Sequence, residues 1–210
     1  MARIIVADDH PIVRKGIIQI LTELEGENHI EDVGSTNALL KKLGENSFDI
    51  IILDISMPGR SGLEILQDLV RTYPGVPVLI LSMHPEEQYA IRALKSGASG
   101  YINKNVAPKE LTKAVRKILN GGKYITSELA EKLADNLKYG LDNVLHQRLS
   151  DREYAVLCKI AEGKTVHQIA GELFISEKTI STYRSRILEK MEMKSNTELI
   201  RYALQKGLID

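Results

Sequence analysis

The chain has 210 residues, with 28 Lys and Arg balanced by 28 Asp and Glu, which leaves room for two small domains but argues against a general polyanion binder. Cys158 is the single cysteine, which excludes an intramolecular disulfide and a Cys-rich metal cluster and points to a reducing compartment. No stretch approaches the roughly 20 apolar residues of a membrane span, and the opening aliphatic run stops at Asp8-Asp9, too short for a secretory leader, so a soluble cytoplasmic protein with no membrane partner is expected.

From Arg3 to about Tyr124, short aliphatic runs alternate with segments of helical period. The runs predict strands over 4–7, 31–34, 50–54, 78–82 and 100–102; the intervening segments predict helices over 12–24, 37–43, 62–72, 86–96 and 108–120. Five such β/α units imply a doubly wound parallel sheet with helices on both faces and right-handed crossovers, and the two most apolar runs, 50–53 and 78–81, belong inside it. After Gly121-Gly122 no strand-like run recurs. Leu129, Leu133 and Leu137 mark an amphipathic helix over 127–138, and a polar segment follows to Arg148, so 125–148 reads as a linker. From Leu149 to the end the chain reads as four short helices, with capping boxes at Ser150, Thr165 and Ser195 and a further N-cap at Ser176.

The predicted strand ends carry the chemistry. Asp8 and Asp9 close the first, Asp54 the third and Ser82 the fourth, while Lys104 stands just past the fifth. In a parallel sheet all five meet at the carboxyl edge, where ligands bind. Taken singly, each suits a solvated loop or a helix cap, Asp9 ahead of Pro11 for example. Together, three carboxylates repel one another unless a cation intervenes, and Mg²⁺ suits a site of few carboxylates that leaves places for water and phosphate oxygens. An oxygen nucleophile, a metal and a cation with a hydroxyl are the parts of phosphoryl transfer, which Asp54, Mg²⁺ and Lys104 with Ser82 would supply.

The stretches VADDHPIVRKG, FDIIILDISMPGRSGLEIL, VPVLILSMH and ALKSGASGYINK resemble the receiver domain of two-component response regulators, a flavodoxin/CheY-like fold, across residues 1–122. That resemblance implies that Asp54 accepts a phosphoryl group from a phosphohistidine on a sensor histidine kinase. It implies Mg²⁺ held by Asp9, Asp54 and the main-chain carbonyl of Ser56, with Asp8 acting through water. Ser82 and Lys104 would grip the phosphoryl oxygens, and Tyr101 would turn inward as Ser82 moves. Arg60-Ser61 and Asn105 depart from the commoner pattern, and Ser56 and His84 border the pocket where they bear on phosphate lifetime. His84, like His10, His29, His146 and His167, reads otherwise as an exposed histidine.

In the last 62 residues, 166–174, the turn at Ile175-Ser176 and a helix from 177 to about 191 have helix-turn-helix proportions. At about 100° per residue, Ile180, Tyr183, Ile187, Leu188 and Met191 share one face of the second helix, and Lys178, Ser181, Thr182 and Ser185 the other. Residues 178–194 carry five cations against two acids. Residues 149–209, from LSDREYAVLCKIAEG to LIRYALQKGLI, resemble the LuxR-type DNA-binding domain, and its order after a receiver is that of the NarL/FixJ class. The resemblance puts Lys178, Thr179, Ser181, Thr182 and Ser185 at or near DNA and Arg186 on a phosphate; Arg184 borders the apolar face and either reaches DNA or pairs with a carboxylate of the first helices of this domain. Leu199, Ile200, Ala203 and Leu204 of the last helix form either a dimer face or an internal packing face.

The expected protein is a phosphorylation-controlled transcription regulator rather than an enzyme: a receiver over 1–124, a linker over 125–148 and a DNA-binding domain over 149–210. Phosphorylation would favour a homodimer on a two-fold promoter site, with output through RNA polymerase. A phosphatase of the haloacid-dehalogenase type also uses a strand-end aspartate and Mg²⁺, but wants a second Asp where this chain has Ser56. A third possibility keeps DNA binding and makes the receiver a phosphate-independent docking module.

Overall fold

The computed structural model describes residues 2–24, 26–57, 62–83, 86–105, 108–131 and 145–209. They form two compact units, Met1–Asp135 and Asn136–Asp210. Among the described residues no helix is long and apolar enough to cross a membrane.

The first unit alternates strand and helix: β1 (Arg3–Ala7), α1 (Pro11–Thr22), β2 (His29–Val33), α2 (Thr36–Glu45), β3 (Ile50–Asp54), α3 (Gly62–Thr72), β4 (Val78–Ser82), α4 (Glu86–Lys95), β5 (Gly100–Asn103) and α5 (Pro108–Leu119). All strand pairs are parallel, in the order β2-β1-β3-β4-β5. The aliphatic runs at β3 and β4 are buried along their whole length, as interior strands of a covered parallel sheet must be. β2 begins at His29, two residues before its aliphatic signal, because as an edge strand it exposes His29 and Asp32 and loses the apolar pattern.

Side chains alternate across the sheet. Ile4, Val6, Ile50, Ile52, Leu79, Leu81 and Ile102 share one core with Ile17 and Leu21 of α1 and Leu111, Val115 and Ile118 of α5. By the same alternation, Ile5, Ile51, Leu53, Ile80 and Tyr101, all buried, point to the other face. The rows end in different chemistry. Asp54 ends the first face at the last position of β3, and Asp8 and Lys104 extend it just past β1 and β5; Ser82 ends the second at the last position of β4, one step along from Ile80, which pairs with Tyr101. Gly62 lets α3 start close behind β3, since a Cβ there would lie 2.2 Å from the Ile55 Cα.

In the second unit a 3₁₀ turn (Leu145–Arg148) precedes α6 (Asp151–Ala161), α7 (Val166–Leu173), α8 (Glu177–Lys190) and α9 (Asn196–Gln205). Ser150 with Glu153 and Thr165 with Gln168 close full capping boxes. The expected third box is half made. Ser195 accepts from the Glu198 amide, but the Glu198 carboxylate takes the Lys194 amide at 2.8 Å instead of reaching back to Ser195. Residues 127–131 are helical, and the rest of the expected linker helix lies outside the described residues.

Helix α7 ends one residue earlier than its hydrophobic period suggests, because Phe174 adopts the left-handed conformation (φ 53°, ψ 42°). Its amide and that of Ile175 close onto Ala170 and Gly171 carbonyls, the usual left-handed helix stop. A side chain with a Cβ costs about 1–2 kcal/mol there relative to glycine.

Candidate functional site

Asp54 is the last residue of β3 and is buried, as is Asp8 just beyond β1. The Lys104 ammonium bridges them, donating to Asp8 Oδ2 and Asp54 Oδ2 at 2.6 Å each. Asp54 Oδ1 accepts the Ser56 amide at 2.9 Å, so both oxygens of this carboxylate are engaged. Burial pushes the Asp54 carboxyl above the ordinary carboxylate range, against the opposing pull of Lys104 and the Ser56 amide.

Asp8 is the most tightly held member. Its Oδ1 accepts the His10 amide at 2.8 Å, its own amide donates to the Val33 carbonyl, and its carbonyl accepts Arg14 Nη1 at 2.7 Å. Arg14 in turn donates from Nε to Asp32 Oδ2 at 2.7 Å, which ties α1, β1 and β2 together beneath the pocket. Sequence reasoning missed Arg14. Its helical spacing from Asp8 is legible, but the approach of its guanidinium to a main-chain carbonyl depends on how α1 seats on the sheet.

Asp9 does not cap α1: His10 occupies the N-cap position without a side-chain cap. Asp9 Oδ1 is buried and accepts no hydrogen bond, although His10 Nδ1 lies 2.9 Å away. The His10 ring is 64% exposed, as expected of a loop histidine, yet it faces the carboxylates. Ligand atoms of Asp8, Asp9, His10 and Asp54 all fall within 4.8 Å of one another. An orphaned carboxylate oxygen beside two more carboxylates is a hard-donor set that fits Mg²⁺. Ser56 is exposed at the rim, and its amide is the atom directed at Asp54.

Ser82 and Tyr101 are fully buried on the opposite sheet face, and the Lys104 amide donates to the Ser82 carbonyl at 2.8 Å, continuing the ladder beyond β5. The five strand-end residues therefore meet at one edge, split between its two faces. His84 and Arg60-Ser61 lie outside the described residues.

In the second unit, Ile180 and Ile187 of α8 are buried while Lys178, Ser181, Thr182, Ser185 and Arg186 are exposed. Thr179 is half-buried and its hydroxyl is spent on Ser176, the N-cap, at 2.8 Å. The hydroxyls of Thr182 and Ser185 donate to the Lys178 and Ser181 carbonyls, so outward they offer lone pairs. Arg184 is turned away from this row, with Nε donating to Asn196 Oδ1 at 2.6 Å; its partner is an amide of α9 rather than a carboxylate of the earlier helices. The four residues of α9 split as well. Leu199 and Ala203 are completely buried within this unit, where α9 packs on α6, while Ile200 is half-buried and Leu204 is 54% exposed.

A five-stranded parallel sheet with an acidic pocket at its carboxyl edge, followed by a helix-turn-helix unit, defines a receiver joined to a DNA-binding module. Comparison with known proteins agrees: residues 4–116 match the response regulator receiver domain and residues 147–203 the luxR family of bacterial regulatory proteins. The chain is 34% identical to response regulator GacA of Pseudomonas viridiflava over 211 residues, covering 100% of this chain and 99% of the relative. It is 35% identical to the oxygen regulatory protein NreC of Staphylococcus carnosus, with 99% of each covered. Among solved structures, RcsB of Salmonella enterica serovar Typhimurium, bound to promoter rprA in the presence of the phosphomimetic BeF3⁻, superposes with a TM-score of 0.65 at 29% identity, covering 96% of this chain and 98% of that one.

The chain belongs to the response regulators, in the NarL/FixJ class that joins a receiver to a LuxR-type helix-turn-helix domain. This is a family of DNA-binding transcription regulators of two-component systems, not of enzymes.

Proposed function

We propose that Asp54 is the phosphoacceptor and that a phosphohistidine of a sensor histidine kinase is the donor. The observation that carries this reading is the convergence of Asp8, Asp9, Asp54 and Lys104 at one sheet edge, with a buried aspartate at its centre. Asp9, Asp54 and the Ser56 carbonyl would hold Mg²⁺, with Asp8 acting through water; bound there, the ion offsets charge on the transferring phosphoryl group. The N–P bond of the donor breaks as an Asp54 O–P bond forms.

Both Asp54 oxygens are engaged at rest, so transfer requires one bond to give way. Lys104 is the mobile partner: its ammonium moves from the two carboxylates to the phosphoryl oxygens, and Ser82 donates to another of them. Tyr101 lies on the same sheet face as Ser82, one pleat step away, so a shift of Ser82 changes the space beside that ring and biases the packing of this face.

In the second domain, Lys178, Ser181, Thr182 and Ser185 read the major groove. Arg186 takes a phosphate, and Thr179 acts through the cap rather than by direct contact. Lys178 is the only long side chain in the groove row, which favours two weak half-sites over one strong one. Phosphorylation therefore works by promoting a homodimer on a two-fold promoter site, with Ile200 and Leu204 on the partner-facing side, and the bound dimer acts on RNA polymerase. The domains are a receiver over 1–124, a linker over 125–148 and the DNA-binding domain over 149–210 of a cytoplasmic protein. Incubation with a radiolabelled phosphohistidine donor and Mg²⁺ tests the first step: label should reach wild type and be absent from Asp54→Ala, and equal labelling of the two would refute it.

A further inference from the structure

Phe174 is 75% exposed and held at positive φ, in the turn that leads into α8. Glycine or asparagine would serve the backbone better there, and a polar residue would serve the surface better. Among the described residues of the second unit, no packing repays an aromatic ring left in water. The backbone that carries it is well fixed, because the amides on both sides of its Cα are bonded to α7 carbonyls and Ile175, next in the chain, is half-buried.

Its neighbours indicate what covers it. Phe174, Ser176, Lys178, Ser181 and Thr182 are all exposed, from the turn through the first turns of α8. The acid in that first turn, Glu177, bonds to His167 at 2.8 Å and stays exposed, and Lys178 is the cation displayed next to it in the chain. The positive end of the helix dipole lies at the same place. An exposed apolar ring on a fixed backbone, just ahead of a cation and an amide-rich helix start in the chain, suits duplex DNA, whose major groove displays one apolar group, the thymine C5-methyl.

We propose that Phe174 is a specificity residue that seats against a thymine methyl at the edge of the half-site read by α8. The inference rests on the DNA-binding reading above. It makes the turn, and not the helix alone, part of the reading surface, with a polar row followed by an apolar step.

The test uses the full-length protein phosphorylated with acetyl phosphate and Mg²⁺, and a duplex selected from a random pool by the wild type. Binding is compared for that duplex and for one in which deoxyuridine replaces every thymidine. Wild type should prefer the thymine duplex by about fourfold for the covered methyl. Phe174→Asn, whose side chain tolerates positive φ, should keep or raise the melting temperature, bring the thymine-to-uracil ratio to about one through this position, and leave the salt dependence unchanged. A merely structural role would weaken both duplexes equally and leave the ratio intact. The proposal is overturned if Phe174→Asn retains the wild-type ratio, or if it binds both duplexes as wild type does but fails to activate purified RNA polymerase, which would assign the ring to a protein partner. If the wild type selects no duplex, the DNA-binding reading itself falls; selection followed by an unchanged ratio defeats only the role of Phe174.

Discussion

Lys104 sets one positive charge between two buried carboxylates, and burial drives one of them, Asp54, toward protonation. Removing it leaves two buried acids uncompensated, a change worth about 3 kcal/mol. Lys104→Met should therefore lower the melting temperature without magnesium and show a larger Mg²⁺-induced rise than wild type, because the added ion replaces the missing charge. Equal Mg²⁺ shifts in the two proteins would contradict this reading of the pocket. Arg14 acts one step further out, through the Asp8 carbonyl. A direct partner of a metal ligand is worth about 10-fold or more in affinity; Arg14 supports only the main chain of a residue that reaches the ion through water, so Arg14→Gln should weaken Mg²⁺ binding by less than that in a titration followed by calorimetry, with Arg14→Lys recovering part of it. The two residues differ in legibility. Lys104 is found from the sequence because a period of two carries a strand's last side chain to a known edge, whereas the bond made by Arg14 depends on the seat of a helix.

At the scale of elements, strands and caps are legible where a local rule decides them. The Ser150–Glu153 and Thr165–Gln168 boxes form as their spacing implies; the Ser195 box does not, because the Lys194 amide offers Glu198 a nearer donor. The direction of Arg184 was open for a similar reason, since at the border of a helix face a few degrees of phase choose between groove and Asn196. The reversal of φ at Phe174 leaves no hydrophobic signature at all. Glu153 shows how a cap also joins elements. Burial alone would raise its carboxyl, but Lys190 at 2.7 Å and the Ser150 amide and hydroxyl bring it below the ordinary range, linking α6 to α8. A depressed carboxyl contributes stability that is complete above the unfolded value of 4.5 and is lost as pH falls through the lower folded value. Protection factors at α6 and α8 amides, taken relative to intrinsic exchange at each pH, should therefore fall on acidification through that window in wild type. Glu153→Gln should start less protected at neutral pH and change less, and parallel profiles would count against the link.

For the whole molecule, an acidic pocket and a helix-turn-helix occupy two compact units of one chain, each of a kind seen across a large family. The sequence order of strands and helices suffices to recognise both, because the sheet order and the helix-turn-helix depend on periodicity and short turns. What passes between the units is a free energy, and it is measured by coupling. The most direct measurement is binding of the selected duplex by the full-length protein with and without acetyl phosphate and Mg²⁺, in wild type and in Asp54→Ala. The account predicts that phosphodonor tightens wild-type binding at least tenfold, or about 1.4 kcal/mol of coupling, and leaves the folded Asp54→Ala protein at the unstimulated affinity. Equal stimulation of the variant would contradict it.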